Sequence, residues 1–187
     1  VSHLIETYQD DPSVGIAYLY FTYQPQQEQV LSDLLGSLVK QLIPERQSIP
    51  TEIEELFNGH RNGKDPMNER DLRTAFSVVM KPFSKIFIVI DALDEYHASA
   101  PKDLEDFLTE LLQLRTTHPF SLFATSRYVS EITSQLGAYV SKEIRAHDDD
   151  LLLYINARIG EMRWKIFNSV EIQESIRKEV LKAADGM

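Results

Sequence analysis

The stretch Lys85-Ile86-Phe87-Ile88-Val89-Ile90-Asp91-Ala92-Leu93-Asp94-Glu95 decides how the rest of the chain is read. Five consecutive apolar residues, Ile86 to Ile90, end in an acid. Apolar character at every position, without alternation, predicts a strand buried on both faces, as in a parallel sheet covered by helices. In open α/β sheets ligands bind beyond the carboxyl ends of the strands. Asp91 falls at such an end, and a carboxylate there suits the hydrated Mg²⁺ that bridges nucleotide phosphates. Asp94 and Glu95 follow on the same rim, where either could orient a water for attack on a γ-phosphate. The plainer alternative is that the acids only start a turn or cap the next helix. Three crowded carboxylates repel one another unless a cation or a base neutralises them, which favours a metal.

Working outward, Phe120-Ser121-Leu122-Phe123-Ala124-Thr125 is a second buried strand, about one helix further on, and Ser126-Arg127 follow it. Its end should reach the same rim, so that Thr125, Ser126 and Arg127 face the phosphates. Arg127 would sense a γ-phosphate or stabilise its developing charge; alternatively it pairs with Asp91 or Asp94. Gly15 to Tyr23, rich in aromatic and β-branched residues after Asp10-Asp11-Pro12, predicts a further strand. Tyr139 to Ile144 predicts a weaker one. Helical spacing of apolar residues predicts helices over 29–42, 50–57, 68–80, 104–114 and 129–136, with a polar loop over 58–66. Val1 to Tyr8 reads as the tail of a helix. Strands alternating with helices give a parallel sheet with right-handed crossovers. From Asp148 the pattern is helical only, over 151–162 and 170–184, which places a domain boundary near His147.

The composition bounds the function. The chain has 187 residues, 43% hydrophobic and 26% charged, enough for one α/β domain and a helical appendage. A formal net charge of −10 argues against a nucleic-acid or membrane-surface binder, which needs a basic footprint. No cysteine is present, so disulfides, zinc–thiolate sites and thiol nucleophiles are excluded. This fits a cytoplasmic location. The five histidines, His3, His60, His97, His118 and His147, show no metal-ligand spacing. Gly59-His60-Arg61-Asn62-Gly63-Lys64-Asp65 imitates a P-loop but has one residue too few between its glycines, and Asp65 follows the lysine where Ser or Thr is required. Asp148 to Asp150 read as the acid-rich first turn of a helix.

The order of PSVGIAYLYF, LLGSLVKQL, KIFIVIDALDEY, FSLFATSR and AADGM resembles the NACHT-type NTPases of the STAND class, and among them the fungal incompatibility-type and nephrocystin-like forms. By that resemblance the fold is a P-loop NTPase-like parallel sheet flanked by helices over 1–147, followed by the start of a helical subdomain over 148–187. The resemblance implies that Asp91 is the Walker B aspartate serving Mg²⁺, that Asp94 and Glu95 are the acidic pair beside it, and that Arg127 is the sensor arginine. It further implies a cytoplasmic switch driven by ATP or GTP, self-association through the NACHT module, and flanking effector and repeat domains of ankyrin or WD40-like type. In that family the P-loop stands just before a helix like the one ending at Tyr8. The expectation is therefore an incomplete sheet, with the first strand and P-loop missing between the strand ending at Thr125 and that at 139–144. These residues alone should then bind nucleotide weakly or not at all. The alternatives are an interaction module that keeps the fold without turnover, or a phosphohydrolase using Asp91 and Asp94.

Overall fold

A computed structural model of the chain describes residues 1–22, 31–43, 49–61, 67–145, 147–161 and 169–184. The chain divides into two compact units, Val1–Ala138 and Tyr139–Met187. The first holds a three-stranded parallel sheet in the order β1-β2-β3: β1 is Val14–Tyr20, β2 is Lys85–Asp91 and β3 is Ser121–Ala124. β2 lies in the middle, with Ile88 opposite Ala17 on one side and Leu122 on the other. A strand paired on both edges satisfies its whole backbone internally, so it can be apolar throughout at no polar cost.

One face of this sheet carries the core. Helix α1 is Ser2–Tyr8, α2 is Leu31–Leu42, α3 is Thr51–Arg61 and α4 is Glu69–Met80. In α2 the buried residues Leu34, Leu35, Leu38, Val39 and Leu42 recur at three-four spacing and form one stripe against the sheet and against α4. α4 starts at Asn68, whose side-chain oxygen accepts the Asp71 N–H, and contributes Leu72, Ala75, Phe76 and Val79. Helix α5 is Leu93–Ser99 and α6 is Pro101–Thr117, the latter burying Leu104, Phe107, Leu108, Leu111 and Leu114. Glu110 of α6 is buried too, and Arg73 of α4 holds its Oε2 at 2.5 Å. Helix α7, Ser130–Leu136, closes the first unit with Ile132 buried. Gly15 marks a close approach: a Cβ there would stand 3.0 Å from Leu42 and 3.1 Å from Phe83.

The sheet differs from the expectation in two ways. Its second face is covered only in part. Val89 is buried and Tyr8 of α1 packs its ring 5.4 Å from that of Phe87, but Tyr20 is 55% and Phe123 61% exposed. The run Ile86–Ile90 itself is buried or half-buried at every position, as its unbroken apolar pattern predicts, and the exposed residues of this face belong to β1 and β3. Residues 139–144 do not form a strand: they have no regular structure, and Val140 and Ile144 are fully or largely exposed. A strand needs a ladder partner, and none stands beside this segment among the described residues.

Other boundaries shift locally. The segment expected as a loop from Asn58 is helical through Arg61, so the first part of the P-loop imitation lies in α3, while Asn62 to Pro66 fall outside the described residues. Tyr23, Gln29, Val30, Pro44, Met162 and Trp164 also lie outside them. The second unit contains α8, Asp148–Glu161, and α9, Val170–Ala184. Asp148 to Asp150 form the first turn of α8, where carboxylates favour the helix dipole. Arg177 of α9 donates to Asn156 of α8 at 2.8 Å. The two compact units part after Ala138.

Replacing Gly15 with Val should lower stability by about 1–3 kcal/mol, the usual cost of forcing extra methyls into a filled core. Urea denaturation monitored by far-UV circular dichroism measures it, and an unchanged midpoint would show that Leu42 and Phe83 yield freely.

Candidate functional site

The carboxyl ends of β2 and β3 are tied to each other by a short network. β2 ends at Asp91, and the next residue, Ala92, adopts φ 58° and ψ 52°. For a residue with a Cβ this left-handed conformation costs roughly 1–2 kcal/mol. Hydrogen bonds to Thr125 hold it there. The Ala92 N–H donates to Thr125 Oγ1 at 3.0 Å, and the Leu93 N–H donates to the Thr125 carbonyl at 3.0 Å. Thr125 in turn donates its own N–H to the Ile90 carbonyl at 2.9 Å. The turn therefore continues the β2–β3 ladder past the end of β3 and then starts α5.

The direction of one proton follows from this network. Because Thr125 Oγ1 accepts from the Ala92 amide, its hydroxyl hydrogen is free to point at Asp91, and it donates to Asp91 Oδ1. One carboxylate oxygen is thereby committed. Asp91 Oδ2 has no partner among the described residues, and the side chain is partly exposed at the rim.

Asp94 and Glu95 occupy the first turn of α5. The Arg127 backbone N–H donates to Asp94 Oδ1 at 3.0 Å. Its guanidinium lies over the same two acids, with Nε 3.4 Å from Asp94 Oδ2 and Nη2 3.6 Å from Glu95 Oε1. The Arg127 side chain is 83% exposed, against 13% for Asp94 and 26% for Glu95. A backbone anchor with a solvent-exposed head lets the guanidinium leave the acids without disturbing the turn. Ser126 directs its hydroxyl to the Arg127 carbonyl at 2.7 Å.

All six residues singled out in the sequence, Asp91, Asp94, Glu95, Thr125, Ser126 and Arg127, therefore meet at one rim, with roles that spacing could not assign. Thr125 and Ser126 spend their hydroxyls on the protein itself. Arg127 pairs with Asp94 and Glu95, not with Asp91. Among the described residues no group of three or more His, Cys, Asp or Glu side chains is placed to hold a metal ion. The repulsion argument for a metal at Asp91, Asp94 and Glu95 thus gives way to neutralisation by Arg127. Asp91 with one free oxygen does not fit a self-sufficient metal site. It fits Mg²⁺ of the kind held by one carboxylate together with water and substrate phosphates.

Sequence reasoning missed Ala92 and Tyr96. Ala92 had a faint signal, a small residue directly after the strand. Tyr96 lies one turn into α5, stacked on Phe21 with ring centroids 4.8 Å apart and 5% exposed. Burial, helped by the carboxylates of Asp103 and Asp33, pushes its phenol up to about 12. It packs on Phe21 as a neutral group.

The family model described as Nephrocystin 3, N-terminal matches residues 1–127. The chain belongs to that family. The nephrocystin 3 N-terminal match takes in the whole three-stranded sheet and stops at Arg127, the last residue of the rim. No curated protein matches the chain. No helix among the described residues of this nephrocystin-family chain is long and apolar enough to cross a membrane.

Two measurements check this geometry. Thr125→Val should lose about 1–3 kcal/mol of stability, since it leaves the Ala92 amide and Asp91 Oδ1 without their partner, whereas Thr125→Ser should stay near wild type. Equal losses in both variants would assign the effect to packing of the methyl group. The raised Tyr96 pKa makes the folded state bind more protons than the unfolded one above pH 10, the unperturbed value. Its contribution is therefore fully present below pH 10 and is lost as the pH rises from there to about 12. Denaturation midpoints measured across that window should fall, and Tyr96→Phe should flatten the slope.

Proposed function

We propose that this chain forms the carboxylate and sensor portion of a nucleotide-dependent switch module of the NACHT kind, within the STAND-class P-loop NTPases. The observation that supports it most is the convergence of Asp91, Asp94, Glu95 and Arg127 at the carboxyl ends of two adjacent parallel strands. Ligands of open α/β sheets bind at such ends. The ligand is ATP or GTP, and Mg²⁺ when bound would neutralise the phosphates beside Asp91 Oδ2.

In this reading each residue has a task. Thr125 fixes the Asp91 carboxylate so that a single oxygen faces the ligand. Arg127 neutralises Asp94 and Glu95 while phosphate is absent and turns to the γ-phosphate when it is present. That exchange releases Glu95 to orient a water. The exchange is cheap because the Arg127 side chain is exposed and an ion pair of that kind is weak. The phosphate cradle itself is a strand–GxxxxGK(S/T)–helix unit. The outer edge of β3, which has no strand beside it among the described residues, suits such a strand. Self-association of the module and flanking effector and repeat domains belong to the same reading, as does a cytoplasmic location.

A second reading, a nucleotide-independent interaction module on the same fold, is favoured by the pairing of Arg127 with Asp94 and Glu95, which neutralises these two acids with no ligand. The two readings part on one variant. In a polypeptide that supplies the cradle ahead of Val1, Asp91→Asn should weaken Mg²⁺-dependent ATP or GTP binding by about ten-fold or more. Arg127→Ala should lower the preference for triphosphate over diphosphate. The 187 residues alone should bind neither nucleotide tightly. Equilibrium binding by fluorescence anisotropy reads all three. Nucleotide binding indifferent to Asp91→Asn, with partner binding intact, supports the interaction module.

A further inference from the structure

The two outer edges of the sheet are finished differently. Along β1, residues pointing their backbone groups toward β2 alternate with residues pointing them outward. Phe21 donates its N–H to the Asp91 carbonyl at 3.1 Å, so the odd-numbered residues face β2. Val14, Ile16, Tyr18 and Tyr20 therefore face away from it. Val14 is satisfied locally by the Asp11 carbonyl at 3.2 Å. Tyr18, at the centre of the outward row, is satisfied by a side chain. Its N–H donates to Gln41 Oε1 at 3.0 Å, and Gln41 Nε2 donates back to the Tyr18 carbonyl at 2.9 Å.

A primary amide carries one acceptor and a donor in the arrangement that a residue of a neighbouring strand would offer. Gln41 is held in place by its own helix: Leu38 and Leu42 of α2 are 0% and 1% exposed, and Gln41 Nε2 also reaches Ser37 Oγ at 3.4 Å. The edge it covers is hazardous otherwise. β1 reads VGIAYLY, seven residues with no charge and no proline, the composition of a strand prone to pair with copies of itself. The net charge of −10 gives no local protection, because none of it lies on this strand.

We propose that Gln41 is an edge guard: its carboxamide takes the place of a neighbouring strand on β1 and blocks antiparallel pairing of β1 with β1 of a second copy. Such pairing would be isologous, Tyr18 facing Tyr18 across a two-fold axis, and would join two three-stranded sheets into one. With Gln41 in place, a second strand must first break both bonds at Tyr18. The proposal is independent of nucleotide binding.

Hydrogen exchange on the unmodified chain gives the first test. The Tyr18 amide should exchange as slowly as amides inside the sheet, while Ile16 and Tyr20, which face outward without a partner among the described residues, exchange quickly. Sedimentation or light scattering gives the second. Gln41→Ala should shift the apparent mass toward a dimer as concentration rises, with a folded circular dichroism spectrum. Adding Ile16→Pro should return it to a monomer. Proline removes an N–H that faces outward in the native fold, so an edge strand tolerates it. Fast exchange at Tyr18 overturns the proposal. So does a Gln41→Ala variant whose mass never departs from that of the parent, or a dimer that survives Ile16→Pro.

Discussion

The first unit depends on β2 being paired along both edges. Paired with β1 over Lys85–Asp91 and with β3 over Phe87–Ile90, it carries apolar side chains at five consecutive positions, as a strand buried in mid-sheet does. Once Ile86, Ile88 and Ile90 face α2, α4 and α6, the register with Ala17 and Leu122 follows, because a shift by one residue would turn each of these side chains away from the core. The rim inherits its position from this. Asp91 is where the strand stops being able to bury what it carries.

The rim is held by backbone bonds more than by charge. Thr125 receives two amides from the turn after β2 and gives one N–H back to Ile90. This closes a small loop around the left-handed Ala92 and offsets the strain there. The ion pairs of Arg127 are longer and more exposed. The site is thus tied by hydrogen bonds at Asp91 and Thr125, while the Arg127 guanidinium is held by exposed ion pairs alone. The switch proposed above would use that division, with Arg127 exchanging partners while Asp91 keeps its place.

The sheet is also asymmetric. The outer edge of β1 is closed at Val14 by the Asp11 carbonyl and at Tyr18 by the Gln41 carboxamide. β3 has only four residues, an exposed Phe123 on one face and no strand beside it among the described residues. On the second face Tyr8 of α1 packs its ring against Phe87. A parallel sheet gains most of its stability from being sandwiched, so the bare side is the one on which additional structure would be stabilising.

The sequence alone determined the central strand and the helical stripes, because burial periodicity is a local signal. KIFIVID reads as β2, and LLGSLVKQL as α2, whatever surrounds them. It also placed Asp91, Asp94, Glu95, Thr125, Ser126 and Arg127 at one rim, since adjacent parallel strands end on the same side. It could not decide which of them touch. That Thr125 orients Asp91, that Arg127 covers Asp94 and Glu95, and that Ala92 is left-handed depend on the register between β2 and β3. Residues 139–144 show the same limit from the other side. Their composition suits a strand, but strand formation is a property of a pair, and only the tertiary structure decides whether a partner is there.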